Sequence, residues 1–322
     1  MLQGITITCF AASYAVVLTL EASRLFFRLR VRMAIILACT LAGLFAHTAY
    51  LWTLAWDELR VSGTMPLSSW YDWCLMAAWV LALAYLGLAV RRPQNSVGLF
   101  LMPLVLGLIG VAYFFRDVPA FPPAEAARSW RLVHGIALLL GTVGVMLGAA
   151  TGLMYLVQSY RLKHKMPPRR GFRLPSLEWL QRFNKRSLLI SAGFMGAGLL
   201  SGIVLNLINR GRESGTVEWT ELGVLSSGVL FMWLLTAVLL EAFYKPARQG
   251  RKVALLTVAS FVFLLLALGF VLFSEHASGE SSRQAGQAPL RAKLTGGSGP
   301  AATSLGTSDR LSENGRDRGD RP

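Results

Sequence analysis

The chain has 322 residues, of which 54% are hydrophobic and only 15% charged. Soluble domains carry about 25% charged residues, so this balance excludes an ordinary soluble enzyme. A net charge of +15 would direct a soluble protein toward nucleic acid, but here the charges are distributed in a way that argues for a membrane and against nucleic-acid binding.

Eight apolar segments follow one another along the chain, at 2–20, 33–53, 70–90, 97–115, 133–157, 187–207, 222–243 and 253–273. Each is long enough to cross a hydrocarbon core of roughly 30 Å as a helix rising 1.5 Å per residue. The runs are continuous rather than alternating, which excludes a transmembrane barrel. A helix satisfies its own backbone in lipid, so the expected fold is an all-α integral membrane bundle of about eight transmembrane helices over 1–276. Residues 277–322 are mostly Gly, Ser, Arg and Asp and cannot bury a core, so they are expected to form a disordered polar tail. The first segment lacks a basic leader region and reads as a retained helix.

The loops after spans 1, 3, 5 and 7 hold 19 Lys and Arg, including Arg161, Lys163, Lys165, Arg169 and Arg170; the three intervening loops hold 6. Positive charge stays in the cytoplasm, so both termini are expected outside, in a cell (inner) membrane protein. Cys9, Cys39 and Cys74 lie in apolar runs without a Cys-x-x-Cys pair, which supports neither a disulfide framework nor a zinc site.

Span 5 carries Gly141, Gly144, Gly148 and Gly152, and span 6 carries Gly198 and Gly202. Small residues at this spacing let helix backbones approach closely. Six tryptophans (Trp52, Trp56, Trp70, Trp73, Trp130, Trp219) fall at the outer ends of spans, against Trp179 alone, in a loop, on the other side. An aromatic belt marks both interfaces; the asymmetry leaves open an aromatic surface built outside.

Of four histidines, His164 lies in a cytoplasmic basic run and reads as a solvated loop residue. His47 in span 2, His134 in the first turn of span 5 and His276 just after span 8 approach the outer leaflet from three helices. Taken singly, each reads as an imidazole bonded to a neighbouring helix. Together they read as a cofactor site, because ionisable groups near spans default to function and imidazole ligates haem iron. No Walker loop, His-Glu-x-x-His or Gly-x-Ser-x-Gly competes. Glu241 and Asp72 lie near span ends, where a proton-coupled transporter would place acids closer to the midplane.

Several stretches resemble the cytochrome c assembly family of the CcsA and HemX type. Gly63-Thr-Met-Pro66-Leu67-Ser68-Ser-Trp-Tyr71-Asp72 is similar to its Pro-Leu-Ser-x-x-Tyr-Glu entry to a span, and Trp130-Arg-Leu-Val-His134 to its Trp-x-x-x-His helix start. Leu174-Pro175-Ser176-Leu177-Glu178, followed by Gly193-Phe194, resembles the linker and helix beyond; Ser274-Glu-His276-Ala-Ser278-Gly279 resembles the Leu-His-Ser-Tyr-Gly ending. The resemblance implies a non-covalent b-type haem at the outer face, with His134 and His276 as axial ligands to its iron. It also implies an apocytochrome c partner and a second membrane subunit with an outer domain. Trp219 is what remains of the family's Trp-Asp-Pro-Lys-Glu stretch, and His47 is similar to a histidine of the HemX-type branch. The inner histidine of haem exporters is replaced in the region of Leu239, Leu240 and Glu241. The expected function is therefore haem handling in cytochrome c maturation. The alternatives are a HemX-type regulator of haem synthesis and a solute transporter.

Overall fold

The computed structural model describes residues 6–26, 31–61, 69–116, 128–166, 172–209, 222–243 and 250–269. All regular structure among them is helical. The helices are α1 Ile7–Ser23, α2 Arg32–Val61, α3 Trp70–Arg91, α4 Gly98–Phe114, α5 Arg128–Lys163, α6 Leu177–Asn209 and α7 Leu222–Phe243, followed by α8 Gly250–Gly269. Six of these are long and apolar enough to cross a membrane, while α1 and α4 have 17 residues each, at the lower limit for a span. The protein is an all-α, multi-pass membrane protein. The expected polar tail and the final residues of span 8 lie outside the described residues.

Three of the helices are much longer than their apolar runs. α2 has 30 residues, α5 has 36 and α6 has 33, about 45, 54 and 50 Å at 1.5 Å per residue. Hydropathy marks only the part of a helix that lies in lipid. The extra turns of α6 start at Ser176, whose carbonyl accepts from the Leu180 N–H at 3.0 Å, just after Pro175. They place Trp179 on a helix rather than in the loop expected from the sequence. There it stacks on Phe183 at 5.0 Å and lies beneath the Arg92 guanidinium at 4.6 Å. The start of α3 is fixed by a capping box: the Ser69 hydroxyl accepts from the Asp72 N–H, and the Asp72 carboxylate accepts from the Ser69 N–H, both at 3.1 Å. Asp72 is thus a helix cap.

α1 to α4 form one set. α1 packs on α2 and α4, and α3 packs on α2 and α4. Phe10, Tyr14, Ile36, Leu75, Leu81, Leu101 and Met102 are wholly buried there. Lipid offers no hydrophobic drive between helices, so close packing and interhelical hydrogen bonds hold the set together. Trp79 Nε1 donates to Thr48 Oγ1 at 2.9 Å, Tyr50 and Tyr71 share a hydroxyl–hydroxyl bond, and Tyr85 donates to the Glu21 carboxylate at 2.9 Å.

α6 and α8 assemble on α5, which also touches α3 and α4, while α7 packs on α6; the α5–α6 face is the most extensive in the fold. Here the glycine stripe has its expected effect. A Cβ on Gly144 would stand 2.6 Å from Ser191 Oγ of α6, and one on Gly152 would stand 2.9 Å from the Ala254 carbonyl oxygen of α8. Gly193, on another face of α6, has nothing within 4 Å of its notional Cβ. Trp233 Nε1 of α7 donates to Ser260 Oγ of α8 at 3.0 Å. Glu241 does not reach for water alone: it pairs with Lys185 of α6 at 2.8 Å.

Candidate functional site

α5 and α6 run antiparallel with a regular register. Gly141 faces Met195, Leu138 lies over Gly198, and His134 lies over Gly202. Because α5 begins at Arg128, His134 sits in its second turn rather than its first. Its ring is half-buried. The imidazole occupies the space a side chain at Gly202 would fill: a Cβ there would be 2.9 Å from its Cε1 and 3.1 Å from its Nδ1.

The hydrogen bonding fixes the chemistry of the ring. His134 Nδ1 stands 2.7 Å from the Gly198 carbonyl oxygen. A carbonyl only accepts, so Nδ1 carries the proton and donates it. Ser201 Oγ donates to the same carbonyl at 2.7 Å and lies 3.5 Å from Nδ1. The neutral ring therefore keeps its lone pair on Nε2, which has no hydrogen-bond partner among the described residues. An imidazole that donates one N–H to a backbone carbonyl and presents the other nitrogen is the usual form of a metal-ligating histidine. The donor fits haem iron.

His47 is in different surroundings. It is wholly buried, its ring lies flat on Phe10 at 4.1 Å, and the Tyr14 hydroxyl is 3.4 Å from its Nδ1. Its Nε2 is buried without a partner. The ring contacts and hydrogen bonds of His47 are with Phe10 and Tyr14 of α1, and those of His134 are with Gly198 and Ser201 of α6. His164 is exposed beyond the end of α5, with Nδ1 2.9 Å from the Tyr160 carbonyl oxygen, as expected for a loop residue. His276 and Trp219 lie outside the described residues. Among the described residues, no three His, Cys, Asp or Glu side chains come together as a metal site.

Sequence reasoning missed the three α6 residues that seat His134. Gly198 and Gly202 read as helix packing, and Ser201 carried no signal. A separate cavity of about 340 Å³ opens between α2 and α3, lined by Leu51, Trp52, Glu58, Asp72, Met76 and Trp79. It belongs to a different helix pair from His134.

A family model described as cytochrome C assembly protein matches residues 67–277, more than half of the chain. It begins after α2 and so excludes His47, while it includes His134, Trp219 and His276. The cytochrome c biogenesis protein CcsA of Chlorella vulgaris is 26% identical over 104 residues, covering 30% of this chain and 32% of that protein. The chain thus aligns with about a third of that relative's length. No solved structure matches.

Proposed function

The chain belongs to the cytochrome c assembly protein family, and from that premise we propose that it is a haem-handling membrane subunit of cytochrome c maturation. It holds a non-covalent b-type haem at the outer face of the cell (inner) membrane, with His134 and His276 as axial ligands and Trp219 beside them. The observation that carries this reading is the His134 ring, with Nδ1 tied to the Gly198 carbonyl at 2.7 Å and Nε2 left as the ligand atom. Bound haem supplies the vinyl groups across which the S–H bonds of an apocytochrome Cys-x-x-Cys-His segment add. This chain's part is to bind, orient and ligate; no side chain needs to act as acid or base. A second subunit with an outer domain receives the apocytochrome. His47, on α2, lies against Phe10 and Tyr14 and takes no part in this ligand pair.

The test is the visible spectrum of the detergent-purified full chain after expression with haem supplied. A Soret band with the sharp alpha band of a bis-imidazole haem is the expected result. No uptake of haem would overturn the reading. Intact c-type cytochromes with altered haem precursors in a deletion strain would favour the regulatory function of HemX-type proteins instead.

The same reading requires the outer site to lie opposite the basic loops. A reporter enzyme active only in the cytoplasm is expected to work when fused after Arg170 and to fail when fused after Gly279, from the excess of Lys and Arg in the loops after odd-numbered spans. The reverse pattern would put His134 and His276 on the cytoplasmic side.

A further inference from the structure

The Gly198 carbonyl that takes the His134 proton has a second donor. His134 Nδ1 reaches it across the helix interface at 2.7 Å, and Ser201 Oγ reaches it from one turn along α6, also at 2.7 Å. The carbonyl is open to α5 because residue 198 is a glycine: a Cβ there would stand 2.5 Å from Leu138 Cδ2. Ser201 is buried. Its oxygen lies 3.5 Å from His134 Nδ1, a much weaker contact than the bond to the carbonyl. A serine hydroxyl bonded back to its own helix is ordinary. Ser191, which also faces α5 from α6, makes such a bond to the Ser187 carbonyl. Ser201 differs in that its acceptor is also the acceptor of the histidine.

We propose that Ser201 tunes the ligand strength of His134 by sharing the Gly198 carbonyl, and so biases iron held by Nε2 toward the ferrous state. The inference rests on the haem reading above and adds the control of the metal to its binding. Two donors on one oxygen weaken each other, because charge drawn toward the hydroxyl is no longer offered to Nδ1–H. An acceptor that pulls harder on that proton gives the ring more imidazolate character and makes Nε2 more basic. A more basic ligand stabilises the more highly charged ferric ion; a restrained one raises the reduction potential. Hydrogen bonding behind an axial ligand is one of the levers a protein has over haem. Ser201 is in this account a positioning residue: it acts through His134 and ligates nothing itself.

The experiment is a potentiometric titration of the haem-loaded full chain in detergent, followed in the visible spectrum. Ser201→Ala is expected to keep its haem and to lower the midpoint potential. At the wild-type midpoint its ferrous-to-ferric ratio should be about threefold to tenfold smaller, the range of one modest hydrogen bond, with tenfold equal to about 59 mV for one electron. Ser201→Thr retains the hydroxyl and should retain the wild-type potential. Ser191→Ala removes a back-bonded hydroxyl whose acceptor serves no histidine, and should change nothing. In the haem-free chain, the His134 Nδ1 proton resonance should move downfield in Ser201→Ala, as a stronger hydrogen bond requires. Four results would each overturn the role of Ser201 while leaving haem binding by wild type in place. These are an unchanged or raised potential in Ser201→Ala, an equal fall in Ser191→Ala or in Ser201→Thr, loss of haem from Ser201→Ala, and an unmoved Nδ1 resonance. Wild type that takes up no haem would overturn the haem reading itself, and this one with it.

Discussion

His134→Ala and His276→Ala are each expected to lower bound haem steeply and to shift the Soret and alpha bands of what remains, because each removes one of two axial imidazoles. Gly202→Ala is expected to do the same more mildly. Its methyl group would stand 2.9 Å from His134 Cε1, closer than carbon atoms pack, so the ring has to turn away from its seat and strain the Nδ1 bond to the Gly198 carbonyl. Loss of such an orienting contact typically costs about 10- to 100-fold in metal affinity. Gly193→Ala on the same helix meets nothing within 4 Å and should leave haem content unchanged. His164→Ala should also have no effect, since that ring is exposed beyond the end of α5. His47→Ala should lower haem less than His134→Ala does, because its surroundings are α1 and α2 rather than the α5–α6 seat. Haem content and spectrum, measured on protein that remains monodisperse in detergent, decide the matter. A folded His134→Ala, His276→Ala double variant with full haem content and an unchanged spectrum would sink the ligand assignment.

The spans could be read from the sequence because lipid imposes one simple demand, a continuous apolar run for each helix. The α7 limits expected from hydropathy, 222–243, are those of the helix. The same signal could not show that α6 starts at Leu177, since Arg182, Lys185 and Arg186 in its first turns lie on a helix that hydropathy does not see. The glycines of span 5 could be read as a contact surface, but not their partners. That Gly144 meets Ser191, or that Gly202 leaves room for an imidazole, depends on the antiparallel register of two helices whose lipid-spanning parts are 30 residues apart in sequence. The histidines show the same limit. Counting residues into a span gives depth, and depth put His47 and His134 at one level; it carries no information on which neighbouring helix each ring faces. In the fold they have different neighbours, Phe10 and Tyr14 for one and Gly198 and Gly202 for the other.

The α1–α4 set depends on a buried ion pair, and breaking it is expected to be the most destabilising single change there. Glu21 at the end of α1 is 1% exposed. Its carboxylate lies 3.3 Å from Arg24 Nε and accepts from the Tyr85 hydroxyl of α3 at 2.9 Å. Gly98, the first residue of α4, has no room for a side chain, since a Cβ would stand 2.7 Å from Glu21 Cγ and 2.9 Å from Tyr85 Cε2. The other nitrogens of Arg24 donate to the Asn95 and Pro93 carbonyls, at 3.0 and 2.9 Å, in the turn between α3 and α4. Three polar partners, on α3 and the turn that follows it, thus meet at one guanidinium–carboxylate pair at the end of α1. Arg24→Ala leaves the carboxylate buried without this cation and frees both turn carbonyls; removal of one member of such a pair costs about 3–5 kcal/mol. Arg32, buried at the same junction and donating to the Ser23 carbonyl at 3.5 Å, keeps part of the compensation, which favours the lower half of that range. Glu21→Leu combined with Arg24→Leu should be less damaging than Arg24→Ala alone, because no uncompensated charge remains. Recovery should be incomplete, since the carbonyls of Pro93 and Asn95 still lose their donor. Arg182→Ala is the control: it breaks an exposed pair with Glu178 at 3.0 Å, of a kind worth at most about 1 kcal/mol. The measurement is the temperature at which each variant loses its monodisperse peak in detergent. If Arg24→Ala were as stable as Arg182→Ala, the pair would be incidental to the fold. If the double leucine variant were less stable than Arg24→Ala, the turn carbonyls rather than the buried charge would be what Arg24 serves.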